Sequence, residues 1–145
     1  YTLQLSILNH QPQSWRSVWL VKLSTTKNDP QVIPYLGRMI AALPGKSDGH
    51  QRELMNVILK MDWSEEQEGI LFDACLEICG SISKSPSVRV VAFRILSRII
   101  ANYPELWYEI QFIVEEEYLE TLSAGIRNGF KRDLKALQRL VLPKL

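Results

Sequence analysis

The chain has 145 residues, 46% of them hydrophobic and 23% charged, a balance that predicts one folded domain over residues 1–145 and excludes a disordered chain. Seventeen basic residues against sixteen acidic ones leave a formal charge of +1, which excludes a strongly basic nucleic-acid glove and an acidic tail while allowing a local patch. Two cysteines cannot make a disulfide framework, and no apolar run nears the roughly 20 residues that span a bilayer.

Apolar residues recur at steps of three and four almost throughout, with no sustained alternation. The spacing predicts helices over 2–9, 12–25, 29–43, 49–61, 64–82, 86–102, 104–119 and 124–141. Prolines 12, 30, 34, 44, 86, 104 and 143 stand at or near the ends of these runs, where proline is tolerated. Gly45 to Gly49 reads as a short loop. Ser64 followed by Gln67 is a capping-box pattern, with Glu65, Glu66 and Glu68 on the positive end of the helix dipole. That helix then carries Ile70, Leu71, Phe72, Ala74, Cys75, Leu76, Ile78 and Cys79. It is apolar on nearly all sides, so the pair it opens should be the most buried. At about 100° per residue the last helix divides in two: Ile126, Phe130, Leu134, Leu137, Leu140 and Val141 share one half, and Arg127, Lys131, Arg132, Lys135 and Arg139 share the other. The connections are short, so consecutive helices should be antiparallel neighbours.

Paired helices invite a search for repeats. Arg16, Arg52, Arg89 and Arg127 are spaced by 36, 37 and 38 residues, each early in the second helix of a pair. Three and seven residues on stand Trp19 and Leu23, Met55 and Leu59, Ala92 and Leu96, Phe130 and Leu134. The near-constant spacing of four arginines in step with the pairs predicts repeat-equivalent structural positions, with stacked pairs burying one shared core.

The segment Pro86-Ser87-Val88-Arg89-Val90-Val91-Ala92-Phe93-Arg94-Ile95-Leu96 resembles the second helix of a HEAT repeat, and Asn102-Tyr103-Pro104-Glu105-Leu106 resembles the start of the next first helix. From Trp15-Arg16 to its end the chain is similar to small bacterial HEAT-like proteins. The resemblance implies an all-α fold, a right-handed α-α superhelix (a HEAT/ARM-like solenoid) of about four antiparallel helix pairs. HEAT repeats usually place an aspartate about six residues before the arginine, forming a ladder between repeats. Those positions here hold His10, Lys46, Ser83 and Thr121, so the ladder is absent or rebuilt.

Motifs for chemistry are scarce. Cys75 and Cys79, four apart on one helix face, have the spacing of half a metal site. No other cysteine exists, and His10 and His50 lack ligand spacing. Two small buried core residues are the simpler reading of the cysteines, and a turn or cap role is the simpler reading of the histidines. No phosphate loop, nucleophile elbow or zinc helix is present, so no cofactor, metal or catalytic residue is expected. A lyase reading is set aside, because nothing matches the serine-rich signature loop of adenylosuccinate lyase.

The expected function is therefore a non-catalytic scaffold that binds a protein or peptide. Trp15, Trp107 and the basic face of Arg127, Lys131, Arg132, Lys135 and Arg139 are its candidate interaction surface. A solvated terminal cap is the plainer reading of that basic face, and gap-filling between helices the plainer reading of the tryptophans. The alternative is a nucleic-acid-binding protein using Arg89, Arg94, Arg98, Arg127 and Lys131 as a basic face. The balanced charge and the upstream run Glu115-Glu116-Glu117 with Glu120 count against it. Free thiols and the lack of a targeting segment predict a cytoplasmic location and no membrane partner.

Overall fold

In the computed structural model the backbone is described for residues 2–7 and 13–145, with side chains for all of these except 2, 5, 6, 13–15, 18 and 19. Every regular element among the described residues is helical. Thr2–Ile7 (α1) and Gln13–Ser24 (α2) come first, followed by Leu36–Ala42 (α3), flanked by 3-10 turns Ile33–Tyr35 and Leu43–Gly45, and by Asp48–Ile58 (α4). Then come Glu65–Gly80 (α5), Pro86–Asn102 (α6), a 3-10 stretch Pro104–Val114, Glu116–Leu119 (α7) and Ala124–Val141 (α8), with a 3-10 turn Leu142–Lys144 closing the chain. Contacts divide these into two compact units, Tyr1–Ala74 and Cys75–Leu145, the boundary falling within α5.

Two expected helices differ. The one expected over 29–43 begins only at Ile33, because Asp29 holds residues 26–32 in a turn: its carboxylate accepts the backbone N–H groups of Gln31 (3.0 Å) and Thr26 (3.3 Å). A residue before proline also disfavours helix. The stretch expected as one α-helix over 104–119 is largely 3-10, with a kink at Ile110 (φ −114°, ψ 15°). Its buried residues are Trp107, Ile110 and Ile113, a step of three that matches the 3-10 period and not the α period.

In the first unit α2 and α4 pack together. Val21, Leu54, Met55, Val57, Ile58 and Met61 are buried with Val32, Leu36, Met39, Ile40 and Leu43. The last five keep one face from the turn before α3 to the turn after it. Glu53, buried on α4, lies 2.5 Å from Lys22 Nζ on α2. Lys60 Nζ donates to the carbonyls of Lys22 (2.7 Å) and Thr25 (2.9 Å), capping the end of α2. Asn28, in the left-handed region at φ 51°, donates its N–H to Lys60 O (2.8 Å). Its side chain accepts from Asp62 N (2.7 Å) and donates to Asp62 Oδ2 (3.0 Å). The turn after α2 is thereby tied to the turn after α4. Asn28→Ala loses the side-chain bonds and must hold a positive φ, so it is expected to cost about 2 kcal/mol. Asn28→Gly keeps the backbone at ease and should cost about half as much. Urea melts of the two variants check this, and equal losses would show that the turn carries no backbone strain.

In α5 Leu71, Phe72, Cys75, Ile78 and Cys79 are buried, but Ile70 is exposed and Leu76 half-buried. The helix is one-sided and not apolar all round, because Glu66, Gly69, Asp73 and Glu77 share the outer side with Ile70. Its start carries the reciprocal cap: Gln67 N donates to Ser64 Oγ (3.2 Å) and Ser64 N donates to Gln67 Oε1 (3.0 Å). In the second unit α6 is the most enclosed element, with Val88, Arg89, Val91, Ala92, Phe93, Ile95, Leu96, Ile99 and Ile100 buried. It packs against α8, which buries Phe130, Leu134, Leu137 and Val141. Leu140, expected on the apolar half of α8, is instead exposed.

Ser47, Ser85 and Ser123 are the N-caps of α4, α6 and α8, all extended. They are 38 residues apart. The first N–H donor to each cap carbonyl comes from Gln51, Arg89 and Arg127. In this register the residues three and seven on are Leu54 and Ile58, Ala92 and Leu96, and Phe130 and Leu134, all buried. Gln51, and not Arg52, is therefore the equivalent of Arg89 and Arg127. Arg52 is displaced by one residue and turns its Nε to the neighbouring Glu53 (3.3 Å). Arg16 is exposed, as is Leu23, so the expected core stripe along α2 does not form at Leu23. The Trp19 position of that stripe, His10 and Trp15 lie outside the described side chains.

Candidate functional site

Among the described residues Arg89 is the largest fully buried side chain, only 1% exposed. No carboxylate is hydrogen-bonded to it among the contacts of its guanidinium. Nε donates to Lys84 O (3.1 Å), Nη1 to Thr121 Oγ1 (2.8 Å) and Nη2 to Thr121 O (3.0 Å). Its guanidinium carbon lies 5.6 Å from the centre of the Tyr118 ring, an added attraction for a desolvated cation. Thr121 stands where the next pair's ladder aspartate would be. Arg89 thus meets a hydroxyl and a carbonyl at that position. Arg127 repeats the backward reach, Nη2 donating to Leu122 O (3.0 Å) and Glu120 O (3.3 Å). Gln51 does the same in the first unit, Nε2 donating to Leu43 O (2.8 Å).

These bonds remove two residues from the expected surfaces. Arg89 is sealed in the core and cannot contribute to a basic face. Arg127 is half-buried against the preceding loop and is turned away from the other cations of α8. Trp107, expected at a partner surface, is 4% exposed; its size and the step of three it shares with Ile110 and Ile113 place it in the core.

What remains on the outside is coherent. Lys131, Arg132, Lys135 and Arg139 of α8 come together with Asn128 around a shallow recess of about 360 Å³. On another face of α8 a separate groove of about 370 Å³ lies between α6 and α8. Phe93, Arg94, Ser97, Arg98 and Ala101 line one wall, and Asp133, Ala136, Leu137 and Leu140 the other. Ala101 and Ala136 leave the helices open here because neither side chain fills the space between them. Leu140, 48% exposed, is left at the edge. Sequence reasoning missed this groove. The available signal was charge segregation: residues 104–119 carry Glu105, Glu109, Glu115, Glu116 and Glu117 with no base, whereas α6 and α8 carry eight bases and one acid, Asp133.

The buried polar groups of the second unit form a separate cluster. Tyr118 Oη donates to Cys79 O at 2.5 Å and lies 3.4 Å from Cys79 Sγ. Burial pushes the Cys79 thiol up from its ordinary 9.0 to about 11, although the Tyr118 hydroxyl and the Arg89 charge pull it back. Burial raises Cys75 and Tyr118 as well. Neither cysteine is in a disulfide, and among the described residues no group of three or more His, Cys, Asp and Glu is placed to hold a metal. His50, expected at a turn or cap, lies fully buried in the first turn of α4.

Protons held more tightly in the folded than in the unfolded chain stabilise the fold below the unfolded value, and that contribution is lost as pH rises through the folded value. For Cys79 the window runs from pH 9 to about 11. The thermal midpoint should therefore be level near neutrality and fall above pH 9, each such group adding up to about 1.4 kcal/mol per pH unit. Midpoints measured against pH for the native chain and Cys79→Ala check this; Cys79→Ala should make the alkaline limb shallower, with Cys75 still contributing, and an unchanged limb would count against the buried Cys79 thiol as a source.

No described helix is long and apolar enough to cross a membrane. Neither the curated proteins nor the solved structures hold a match to the chain. The family model for the HEAT repeat domain matches residues 3–137, a span that takes in α4 and α6 whole and most of α8, with their 38-residue register and the Arg89–Thr121 hydrogen bonds. The chain belongs to the HEAT repeat domain family.

Proposed function

We propose that this chain is a non-catalytic helical-repeat scaffold that binds a segment of another protein. The observation that carries the reading is the groove between α6 and α8, where Ala136 and the half-exposed Leu140 lie open beside Arg94 and Arg98. An apolar floor with charged rims suits a protein segment, in which a few desolvated side chains supply most of the binding energy.

Nucleic-acid binding is the second reading, favoured by the recess of Lys131, Arg132, Lys135 and Arg139. Phosphate contacts need cations but have no use for an apolar groove, and Arg89 and Arg127 are already committed to carbonyls. Selection from a displayed library of random peptides tests the first reading: the chain should enrich a recognisable family of sequences, and failure to enrich any would defeat it. A gel shift with duplex and single-stranded oligonucleotides at two salt concentrations tests the second, which demands binding that weakens steeply with salt.

A further inference from the structure

From the α6–α8 groove we infer the chemistry of the partner segment: an acidic amphipathic helix that places aliphatic side chains between the two helices and carboxylates against the Arg94 and Arg98 wall. This rests on the scaffold reading above and adds to it a site and a ligand class.

The floor comes first. Ala101 on α6 faces Ala136 and Leu137 on α8, and Leu140 closes one end. From Asp133 to Leu140 the α8 wall runs two turns, about 10 Å at 1.5 Å per residue. That length suits a short helix laid along the groove, its anchors at every third or fourth residue. The space of about 370 Å³ is at the small end of ligand pockets, enough for a few aliphatic side chains.

Charge then selects the partner. Arg94 and Arg98 stand on the α6 wall, and Arg132, Lys135 and Arg139 continue round the outer side of α8. Asp133 is the one acid among them. Arg94, Arg132, Lys135 and Arg139 are exposed, so their charges reach solvent and can steer an acidic segment toward the groove. A basic or neutral amphipathic helix would meet like charge or none. A nucleic acid would use the rim but leave the apolar floor empty. A second copy of this chain is a weaker candidate, because its acidic stretch 104–119 keeps Trp107, Ile110 and Ile113 buried in its own core and has few apolar groups to offer.

The test uses the whole chain and a fluorescein-labelled helical peptide of about 14 residues with leucines at i, i+3, i+4 and i+7 and glutamates elsewhere. Its glutamine and lysine counterparts, and an oligothymidine of similar length, serve as comparison probes. The glutamate peptide is expected to bind and to shift the backbone amides of residues 93–101 and 133–140. Arg94→Glu is expected to weaken it about tenfold, Lys135→Glu with Arg139→Glu by less because they act only through the longer-range field, and Leu140→Asp to remove binding. Lys27→Glu, on the exposed loop after α2, should leave it unchanged. Circular dichroism of each variant separates lost binding from lost folding.

Amide shifts confined to other residues, or equal binding of the glutamine or lysine peptide, would overturn the inference while leaving the scaffold reading intact. Tighter and salt-steep binding of oligothymidine to the same residues would overturn it in favour of nucleic acid. Loss of self-association in Leu140→Asp would give the groove to a second copy. A chain that binds none of the four probes, and enriches no displayed peptide, defeats both the inference and the reading beneath it.

Discussion

Replacing Arg89 by alanine is expected to destabilise the second unit by about 3–5 kcal/mol, among the largest losses a single side chain here can cause. The guanidinium has been taken wholly out of water, and its three hydrogen bonds all end on groups that are themselves committed to their places. Thr121 Oγ1 also donates to Tyr118 O at 2.5 Å, so guanidinium, threonine and tyrosine form one connected network. Removing the arginine strands the carbonyls of Lys84 and Thr121 and opens a void beneath the Tyr118 ring. Thr121→Val, which keeps the carbonyl acceptor and loses the hydroxyl, should cost only about 1–2 kcal/mol. Arg89→Lys, with one ammonium for three separated acceptors, should fall between them. Urea-induced unfolding of the three variants gives the order. If Arg89→Ala costs less than Thr121→Val, the hydroxyl and not the guanidinium holds the network.

The same arginine marks how far the sequence can be read. Helices at 86–102 and 124–141 are placed to the residue, the first opening at Pro86 and both bounded by the steps of three and four. The helix pairs were legible because burial on one face forces steps of three and four. The register was not, because a search for identical residues picks Arg52, while the position that matters is filled by Gln51, a residue that makes the same backward bond without a charge. The serines at 47, 85 and 123 were the better marker. They mark where the backbone leaves its extended state at the start of α4, α6 and α8, without a side-chain cap bond, whereas the side chain one turn later can change if another donor serves.

The candidate surface was legible in part for a similar reason. Four cations on one side of α8 follow from helical geometry alone, and Lys131, Arg132, Lys135 and Arg139 do converge. The separate groove depends on what does not fill it, namely Ala101 and Ala136 on two helices distant in sequence. Leu140 lies on the apolar half of α8 by angle, yet its exposure is set by the neighbour it lacks. Trp107 shows the converse, since a tryptophan's composition says nothing of which side faces water.

Phe130→Ala is expected to cost about 4 kcal/mol. Phe130 occupies, in α8, the register position held by Leu54 in α4 and Ala92 in α6, all fully buried. The side chain at this place ranges from a methyl to a benzyl group, so the volume must be balanced nearby. In the second unit the balance is visible: Phe93, adjoining the small Ala92, brings its ring to within 4.6 Å of the Phe130 ring, tilted at 42°. Tyr118 approaches Phe130 from the other side at 6.2 Å and meets Phe112 edge-on at 5.4 Å. Phe130 therefore joins α6, α7 and α8 through aromatic contacts worth more than their buried area. Truncation leaves a cavity bordered by two rigid rings that cannot collapse into it. Leu134→Ala, one turn along at 5% exposure, should cost less, about 2–3 kcal/mol. Ala92→Leu should be destabilising through overpacking by about 1–3 kcal/mol. Combining Ala92→Leu with Phe130→Ala should recover part of both losses if the two positions share one volume; strict additivity in thermal or urea melts would show that they do not.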